Sequence, residues 1–180
     1  LDEVQTGFGR TGRLFAYEHA GISPDIMTLA KGLGSGFPIG AMLATERVAA
    51  AFTPGSHGTT QGGNPLACAV GLATLETLLD DGYILENSRR MGERLVAGLK
   101  ALAPRHASVA EVRGLGLLVG LVLSIPARPV ATACLERGLL VIPTAETVLR
   151  FVPPLTVTQD EVDRAVSIVD AALAARDGHA

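Results

Sequence analysis

The sequence is poor in several features that would point to particular classes of protein. It has two cysteines, Cys68 and Cys134, and their spacing matches no metal-binding motif. We expect both to be reduced, buried side chains of a cytoplasmic protein, and we expect no metal site. The net charge of −3 gives no support for binding to nucleic acid or to an anionic membrane. Because no uninterrupted apolar run reaches about 18 residues, no membrane-spanning helix is predicted.

What the sequence does contain is typical of a globular protein with a hydrophobic core. Hydrophobic residues make up 48% and charged residues 18% of its 180 positions, which is unlike a disordered chain. This length corresponds to one or two domains. In the first half, short apolar segments alternate with helical ones, and this order favours a layered α/β structure.

One of the two lysines stands in an unusual place. Lys31 follows the apolar run 26–30, which predicts a buried strand, and precedes the glycine-rich residues 32–36. Because lysine is seldom buried, its position at the end of such a strand suggests a chemical role. Desolvation favours the neutral amine, which can attack a carbonyl carbon, and the glycines let a ligand approach the backbone. The alternative is a lysine in a surface turn between flexible glycines.

A second candidate segment opens the chain with the sequence LDEVQTGFGRTG, in which Asp2, Val4 and Gln5 end a predicted strand. Pyridoxal phosphate chemistry needs a lysine that holds the cofactor and a carboxylate that keeps its ring nitrogen protonated. Lys31 and Asp2 are candidates for these two roles. Residues 7–12 also match G-x-G-x-x-G, but the residues before them are polar rather than an apolar strand, so a tight loop is predicted instead of a dinucleotide site.

A loop rich in glycine and hydroxyl side chains occupies residues 53–63. Thr59 and Thr60 can offer hydroxyl groups to a phosphate or a carboxylate, and the glycines beside them expose backbone N–H groups. Asn64 and Pro65 are predicted to cap and start the next helix, whose apolar stripe is expected at Leu66, Ala69, Val70, Ala73 and Thr77. The alternative is an ordinary capped helix start with a flexible lead-in.

The second half predicts helices around a small sheet, with one arginine inside an apolar strand. Arg150 there requires a carboxylate partner, either on a substrate or on an internal acid in a structural pair. The tail, residues 176–180, is expected to fray. Helices are predicted over 15–20, ended by Gly21, over 45–52, capped by Thr45, and over 65 to about 80, 85–102, 129–137 and from the Thr158–Glu161 capping box to about 173. Strands are predicted over 26–30, 41–44, within 108–123, over 139–142 and over 148–155.

Three motifs, in this order, resemble those of the class III pyridoxal-phosphate-dependent aminotransferases. They are DEVQTGxGRTG from Asp2, PDIxTLAKGLG from Pro24 and PIGA from Pro38. The resemblance extends over nearly the whole chain, and within the class the chain is similar to the acetylornithine branch. It implies a type I pyridoxal-phosphate transferase fold of α/β class. Residues 1–80 would complete the C-terminal part of a large cofactor domain and residues 81–180 would form a small α+β domain. Because Leu1 takes the place of a methionine, we expect the chain to be the C-terminal half of a longer protein.

The resemblance also implies roles, position by position. Lys31 and Asp2 would be catalytic, and Val4 and Gln5 would join them in binding the cofactor. Thr60 would bind the cofactor phosphate of the partner subunit in a homodimer. Thr59 and Arg150 would bind substrate.

The implied reaction transfers the amino group of N-acetylornithine to 2-oxoglutarate in arginine biosynthesis. Ornithine, succinylornithine and 4-aminobutyrate remain alternative donors. A chain that folds or pairs without catalysing anything is the alternative from a different class, and residues 1–180 alone are expected to be inactive.

Overall fold

The computed structural model describes residues 1–177 and divides into two compact units, the first Leu1–Leu85 and the second beginning at Glu86. Their identification with a large and a small domain stays a prediction. Residues 178–180 of the expected frayed tail lie outside the described residues. The helices are α1 Tyr17–Ala20, α2 Glu46–Ala49, α3 Pro65–Leu79, α4 Tyr83–Lys100, α5 Ala127–Glu136 and α6 Gln159–Asp177, with a 3₁₀ turn at Lys31–Gly34. The strands are β1 Ile26–Leu29, β2 Ala41–Ala44, β3 Val109–Leu115, β4 Leu118–Leu123, β5 Ile142–Thr144 and β6 Val148–Phe151.

The first unit is built around a short antiparallel pair, β1 and β2, with Ile26 opposite Ala44 and Leu29 opposite Ala41. α3 follows a predicted start: Asn64 caps it, its Oδ1 accepting the Ala67 N–H at 2.9 Å, and proline occupies the first turn.

The buried face of α3 differs from the predicted stripe of Leu66, Ala69, Val70, Ala73 and Thr77. The buried positions are instead Ala67, Gly71 and Leu78. Because α3 is apolar on almost every side, its sequence does not single out the face that packs inward. The small residues Ala67 and Gly71 mark the side of closest approach.

The second unit is a four-stranded antiparallel sheet in the order β3-β4-β6-β5, with α4, α5 and α6 contributing to one hydrophobic core. α4 places Met91, Leu95 and Leu99 in that core, as its periodicity predicts. α6 starts with the predicted capping box, in which the Thr158 N–H is donated to Glu161 Oε2 at 2.8 Å and the Glu161 N–H to Thr158 Oγ1 at 3.3 Å.

The strand predicted over 139–142 begins three residues later, at Ile142. The end of α5 explains the shift. Gly138 has a left-handed φ of 83°, and the Leu139 N–H is donated back to Cys134 O at 2.9 Å. This Schellman-type closure keeps Leu139 attached to the helix, although its apolar side chain favours a strand.

Two smaller expectations are also corrected. Thr45 precedes α2, as predicted, but its side chain accepts no capping hydrogen bond. Cys68 is exposed on α3, whereas Cys134 is buried as expected, and burial raises the pKa of the Cys134 thiol to about 11. Both cysteines are free. Within residues 1–177, every helix is too short or too polar to span a lipid bilayer.

Candidate active site

Asp2 is held in place by pairing with β1. It forms a parallel bridge with Thr28, where the Glu3 N–H is donated to Thr28 O at 2.9 Å. The carboxylate oxygen Oδ1 accepts the Val4 N–H at 2.9 Å and the Thr28 hydroxyl at 3.3 Å. Oδ2 accepts no hydrogen bond within residues 1–177, and the side chain is exposed. The direction of the carboxylate is therefore fixed while one of its oxygens stays available to a ligand.

Lys31 opens the 3₁₀ turn directly after β1, and its backbone is strained. Its φ of 41° lies in the left-handed region, which is unfavourable for a residue with a side chain by about 1–2 kcal/mol. Strain of this kind is concentrated at functional sites. The side chain of Lys31 is exposed. The expected burial of the preceding strand holds only for Met27 and Leu29, since Ile26 is exposed. The described residues thus do not supply the desolvation proposed for the amine.

The two sequence motifs meet in space. Thr28, the bridge partner of Asp2, is three residues before Lys31. The Cα atoms of Thr28 and Lys31 are therefore at most roughly 11 Å apart. At the other end of the motif, a Cβ on Gly32 would lie 2.8 Å from the Cβ of Phe8, which is a buried side chain of the first loop. Only glycine permits this approach. The loop that carries Asp2 and the turn that carries Lys31 therefore pack directly against each other.

α3 supports the lysine turn from another side. A Cβ on Gly71 would meet Leu33 Cδ1 at 3.3 Å, and Leu33 lies within the turn. Leu33 and Gly34 are both buried. The turn that begins at Lys31 is thus packed against both the first loop and α3.

The glycine-rich loop after Asp2 has no dinucleotide-binding context. Turns continue from Val4 through Thr11, a bend follows at Gly12, and α1 begins only at Tyr17 and is one turn long. The fingerprint needs a helix that opens on the last glycine. Arg10 lies in this loop, and burial lowers its pKa from the ordinary value. The predicted tight loop is therefore correct.

Val4 and Gln5, the other predicted cofactor contacts, lie in the turn that follows Asp2. Val4 is partly buried and Gln5 is exposed. Two further residues shape this turn, and neither was predicted from the sequence. Thr28 helps to orient Asp2, and Glu3 is buried beneath the turn. Glu3 stands between the acidic Asp2 and the apolar Val4, so no hydrophobic pattern marks it as buried, and only the fold shows that it is.

Thr59 and Thr60 lie in an exposed loop of the first unit. The Thr59 hydroxyl accepts the Gly62 N–H at 3.1 Å, which leaves its proton available for donation. Thr60 makes no hydrogen bond to any residue in 1–177 and is exposed. The loop is therefore organised locally, with hydroxyl groups directed to no acceptor within the described chain.

Arg150 belongs to the second unit, on β6, where it is paired with Gly120 on one neighbouring strand and Ile142 on the other. Its Nε is buried and has no hydrogen-bond partner among the described residues. Arg150 lines a largely apolar cavity of about 570 Å³ together with Leu139, Pro153 and Val162. The internal acid that a structural pair would need is not bonded to it within residues 1–177. A buried guanidinium donor without a partner favours an incoming carboxylate.

Residues 1–177 contain no group of three or more His, Cys, Asp or Glu side chains placed to hold a metal ion. The chemically useful groups of the first unit are one amine, one oriented carboxylate and exposed hydroxyls. This set fits an organic cofactor with a carbonyl, a basic nitrogen and a phosphate.

Comparison with known proteins gives consistent matches. A family model, Aminotransferase class-III, matches residues 1–173. An acetylornithine aminotransferase of Caldanaerobacter subterraneus subsp. tengcongensis is 53% identical over 171 residues, which are 94% of this chain and 43% of that protein. The chain thus spans less than half the length of this curated relative.

Solved structures match as well. The ornithine δ-aminotransferase of Plasmodium falciparum superposes with a TM-score of 0.93 at 34% identity, over 99% of this chain and 47% of that one. The ornithine aminotransferase of Toxoplasma gondii, in which pyridoxal phosphate partly occupies the active site, gives a TM-score of 0.92 at 37% identity, over 99% of this chain and 43% of that one.

Proposed function

Because the chain belongs to the class III aminotransferase family and has its type I fold, we propose that the polypeptide carrying it is a pyridoxal-phosphate-dependent aminotransferase. The observation that carries this proposal is the meeting of the Asp2 loop and the Lys31 turn through the Asp2–Thr28 bridge and the Phe8–Gly32 contact. That meeting places the residue with the carboxylate and the residue with the amine on backbone segments that contact each other.

The proposed reaction moves the amino group of N-acetylornithine to 2-oxoglutarate, a step of arginine biosynthesis. The choice of donor is supported by the 53% identity, over 94% of this chain, to a protein named acetylornithine aminotransferase. The buried Arg150 donor is suited to the carboxylate that these amino acids and 2-oxoglutarate carry.

The proposed cofactor is pyridoxal phosphate, and the groups present fit it. When bound, it supplies an electron sink for the substrate carbon that bears the amino group. Lys31 Nζ would be its covalent attachment point, and the same amine would take and return the proton at that substrate carbon. The Asp2 carboxylate would keep the ring nitrogen protonated by its negative charge. The Val4 side chain would pack on the ring, and the Gln5 amide would donate to its phenolic oxygen.

We also propose that the enzyme is a homodimer. Thr59 and Thr60 point their hydroxyls at no acceptor within residues 1–177, and a partner subunit would supply one. Thr60 would bind the cofactor phosphate of the partner subunit, and Thr59 would lie near its substrate. Two free cysteines fit a reducing compartment, and the cytoplasm is the proposed location.

The attachment point is tested by trapping. The polypeptide carrying this chain is loaded with pyridoxal phosphate, reduced with borohydride and mapped by peptide mass spectrometry. The pyridoxyl label is expected on Lys31 and is lost in Lys31→Arg, which keeps the positive charge but offers no amine for attachment. Lys100→Arg, at the only other lysine in the sequence, is the matched control and should keep the label. A label on Lys100 in the unaltered protein would show that the assignment of Lys31 is wrong.

The donor is tested by turnover. Glutamate formation from 2-oxoglutarate is measured with N-acetylornithine, ornithine, succinylornithine and 4-aminobutyrate in parallel. N-acetylornithine is expected to give the highest kcat/KM. A higher value with another donor would move the proposal to that sibling activity while leaving the aminotransferase chemistry intact.

A further inference from the structure

Glu3 is the only aspartate, glutamate, lysine or arginine among residues 1–176 that is almost completely buried as a whole residue, with 2% of its surface exposed. A charged group is seldom buried without a specific reason, since its removal from water is costly. Glu3 stands between Asp2 and Val4, yet the function proposed above gives it no task.

The contacts of Glu3 join three parts of the first unit. Its Oε1 accepts the Tyr17 N–H at 2.9 Å, at the start of α1, and its Oε2 accepts the Thr6 hydroxyl. Its backbone N–H is donated to Thr28 O at 2.9 Å on β1, and its carbonyl accepts the Gly7 N–H at 3.0 Å. Glu3 therefore closes the turn from Val4 to Gly7 through its carbonyl and also ties this turn to β1 and to α1.

This turn also sets the direction of the Asp2 carboxylate. The Val4 N–H that is donated to Asp2 Oδ1 belongs to the peptide group that follows Glu3. A rotation of that peptide would turn the N–H away from Asp2 and would also move Gln5. The two side-chain hydrogen bonds of Glu3 oppose such a rotation, because they fix the turn to the first residue of α1.

We propose that Glu3 is a positioning residue whose carboxylate, by accepting the Tyr17 N–H and the Thr6 hydroxyl, holds the Val4–Gly7 turn in the conformation that aims Asp2 and Gln5 at the cofactor. The proposal rests on the function proposed above for its last step, the aim at the cofactor. Its first step, the holding of the turn, is a property of the fold alone. The two steps are therefore measured separately.

The variants separate hydrogen bonding from charge. Glu3→Ala removes both acceptors and leaves the Tyr17 N–H without a partner. Glu3→Gln can keep both links without charge, because its amide oxygen accepts the Tyr17 N–H while its NH₂ group is donated to Thr6 Oγ1. Glu18→Ala is the matched control, since Glu18 Oε1 accepts a nearby backbone N–H, that of Phe15, at 2.7 Å and takes no part in the Val4–Gly7 turn.

Two measurements are made on the polypeptide carrying the chain. Hydrogen exchange at the Val4 and Gly7 amides reports the turn, and the dissociation constant of pyridoxal phosphate, from absorbance titration, reports the aim at the cofactor. With two hydrogen bonds lost, Glu3→Ala is expected to raise both the exchange rate and the dissociation constant by about tenfold. Glu3→Gln and Glu18→Ala are expected to stay within about twofold of the unaltered protein.

Other results overturn the proposal. Unchanged exchange in Glu3→Ala means that the turn does not depend on Glu3. An effect of Glu3→Gln as large as that of Glu3→Ala means that charge matters, not positioning by hydrogen bonds. If Glu3→Ala does not fold, Thr6→Val, which removes only one of the two bonds, is expected to raise the exchange rate by about threefold, and no rise overturns the proposal. If the unaltered protein binds no pyridoxal phosphate, the proposed function fails, while the exchange data still decide whether Glu3 holds the turn.

Discussion

Substitution of Gly92 by alanine should destabilise the second unit, although alanine is the better helix former. Gly92 lies in the middle of α4 and is buried, facing the two-residue turn between β3 and β4. A Cβ at this position would overlap the carbonyl group of Gly116 and lie 2.7 Å from its Cα. The obstacle is backbone, so no side-chain rotation can relieve it.

The magnitude follows from two opposing effects. Replacing glycine by alanine in a helix interior contributes about 1 kcal/mol of stability. Forcing extra volume into a packed site costs about 1–3 kcal/mol, and the upper end applies because two backbones must separate. The free energy of unfolding of the second unit is expected to fall by about 2 kcal/mol. This corresponds to a roughly 30-fold rise in the hydrogen-exchange rate of amides that exchange only when the unit unfolds.

Gly98→Ala is the matched control on the same helix. Its Cβ would lie 2.8 Å from Val166 Cγ2, so the close contact is with a side-chain methyl group rather than with backbone. We expect its unfolding free energy to stay within about 1 kcal/mol of the unaltered protein. Hydrogen exchange of peptides from residues 86–123, read by mass spectrometry, measures both variants. If Gly92→Ala exchanges no faster than Gly98→Ala, the close contact between α4 and the hairpin turn is refuted.

Three further predictions concern the site and the pH dependence. Asp2→Asn should still bind pyridoxal phosphate, while transamination falls by at least about 100-fold, because the charge that protonates the ring nitrogen is lost. Residues 1–180 expressed alone should form glutamate from N-acetylornithine and 2-oxoglutarate at well below about 1 per second, because Asp2 and Lys31 are both exposed within the described chain. The hydrogen bond from His106, together with the contact from Arg105, lowers the pKa of Asp170. These contacts should therefore stabilise the fold fully above about pH 4, and the stabilisation should be lost as the pH falls through the folded-state pKa of Asp170. Unfolding midpoints measured against pH test this expectation.

Each of these has a result that would contradict it. Near-normal turnover of Asp2→Asn would mean that another group protonates the ring nitrogen. Turnover at ordinary enzyme rates by residues 1–180 would mean that exposure of the reactive groups in this chain does not limit catalysis. An Asp170→Asn variant with the same acid dependence as the unaltered protein would assign that dependence to other carboxylates, such as Asp163, whose pKa is lowered by the hydrogen bond from Arg94.

Local sequence signals predicted the ends of helices well where a single residue type enforces the geometry. Asn64 with Pro65, the Thr158–Glu161 capping box and Gly21 all occur where expected, because each provides a hydrogen bond or a left-handed φ that few other residues supply. The predicted start of β5 was wrong, because the Schellman closure at Leu139 depends on a backbone hydrogen bond that the pattern of side chains does not encode.

Packing between elements was predicted less well than the elements themselves. The sequence indicated Lys31 and Asp2 as partners through their chemistry, but the Phe8–Gly32 contact that joins their loops is visible only in the fold. The predicted buried face of α3 was likewise wrong. An evenly apolar helix has no preferred side, and its buried face is decided by contact with a neighbour such as Leu33. Tertiary contact, rather than periodicity, decides both.

Position and environment of the reactive groups have different origins in the first unit. The bridge between Asp2 and Thr28 and the strained turn at Lys31 place the carboxylate and the amine through backbone contacts made within the first 32 residues. Exposure of both side chains means that these contacts do not provide the low dielectric in which a charge stabilises a ring nitrogen strongly. In the proposed enzyme, that environment must come from groups that cover these two side chains, namely the cofactor itself and the Thr59–Thr60 loop of a partner subunit. Variants at Glu3 should therefore change the direction of the Asp2 and Gln5 side chains without changing the local dielectric. Variants that weaken the proposed dimer should raise the local dielectric and leave those directions unchanged.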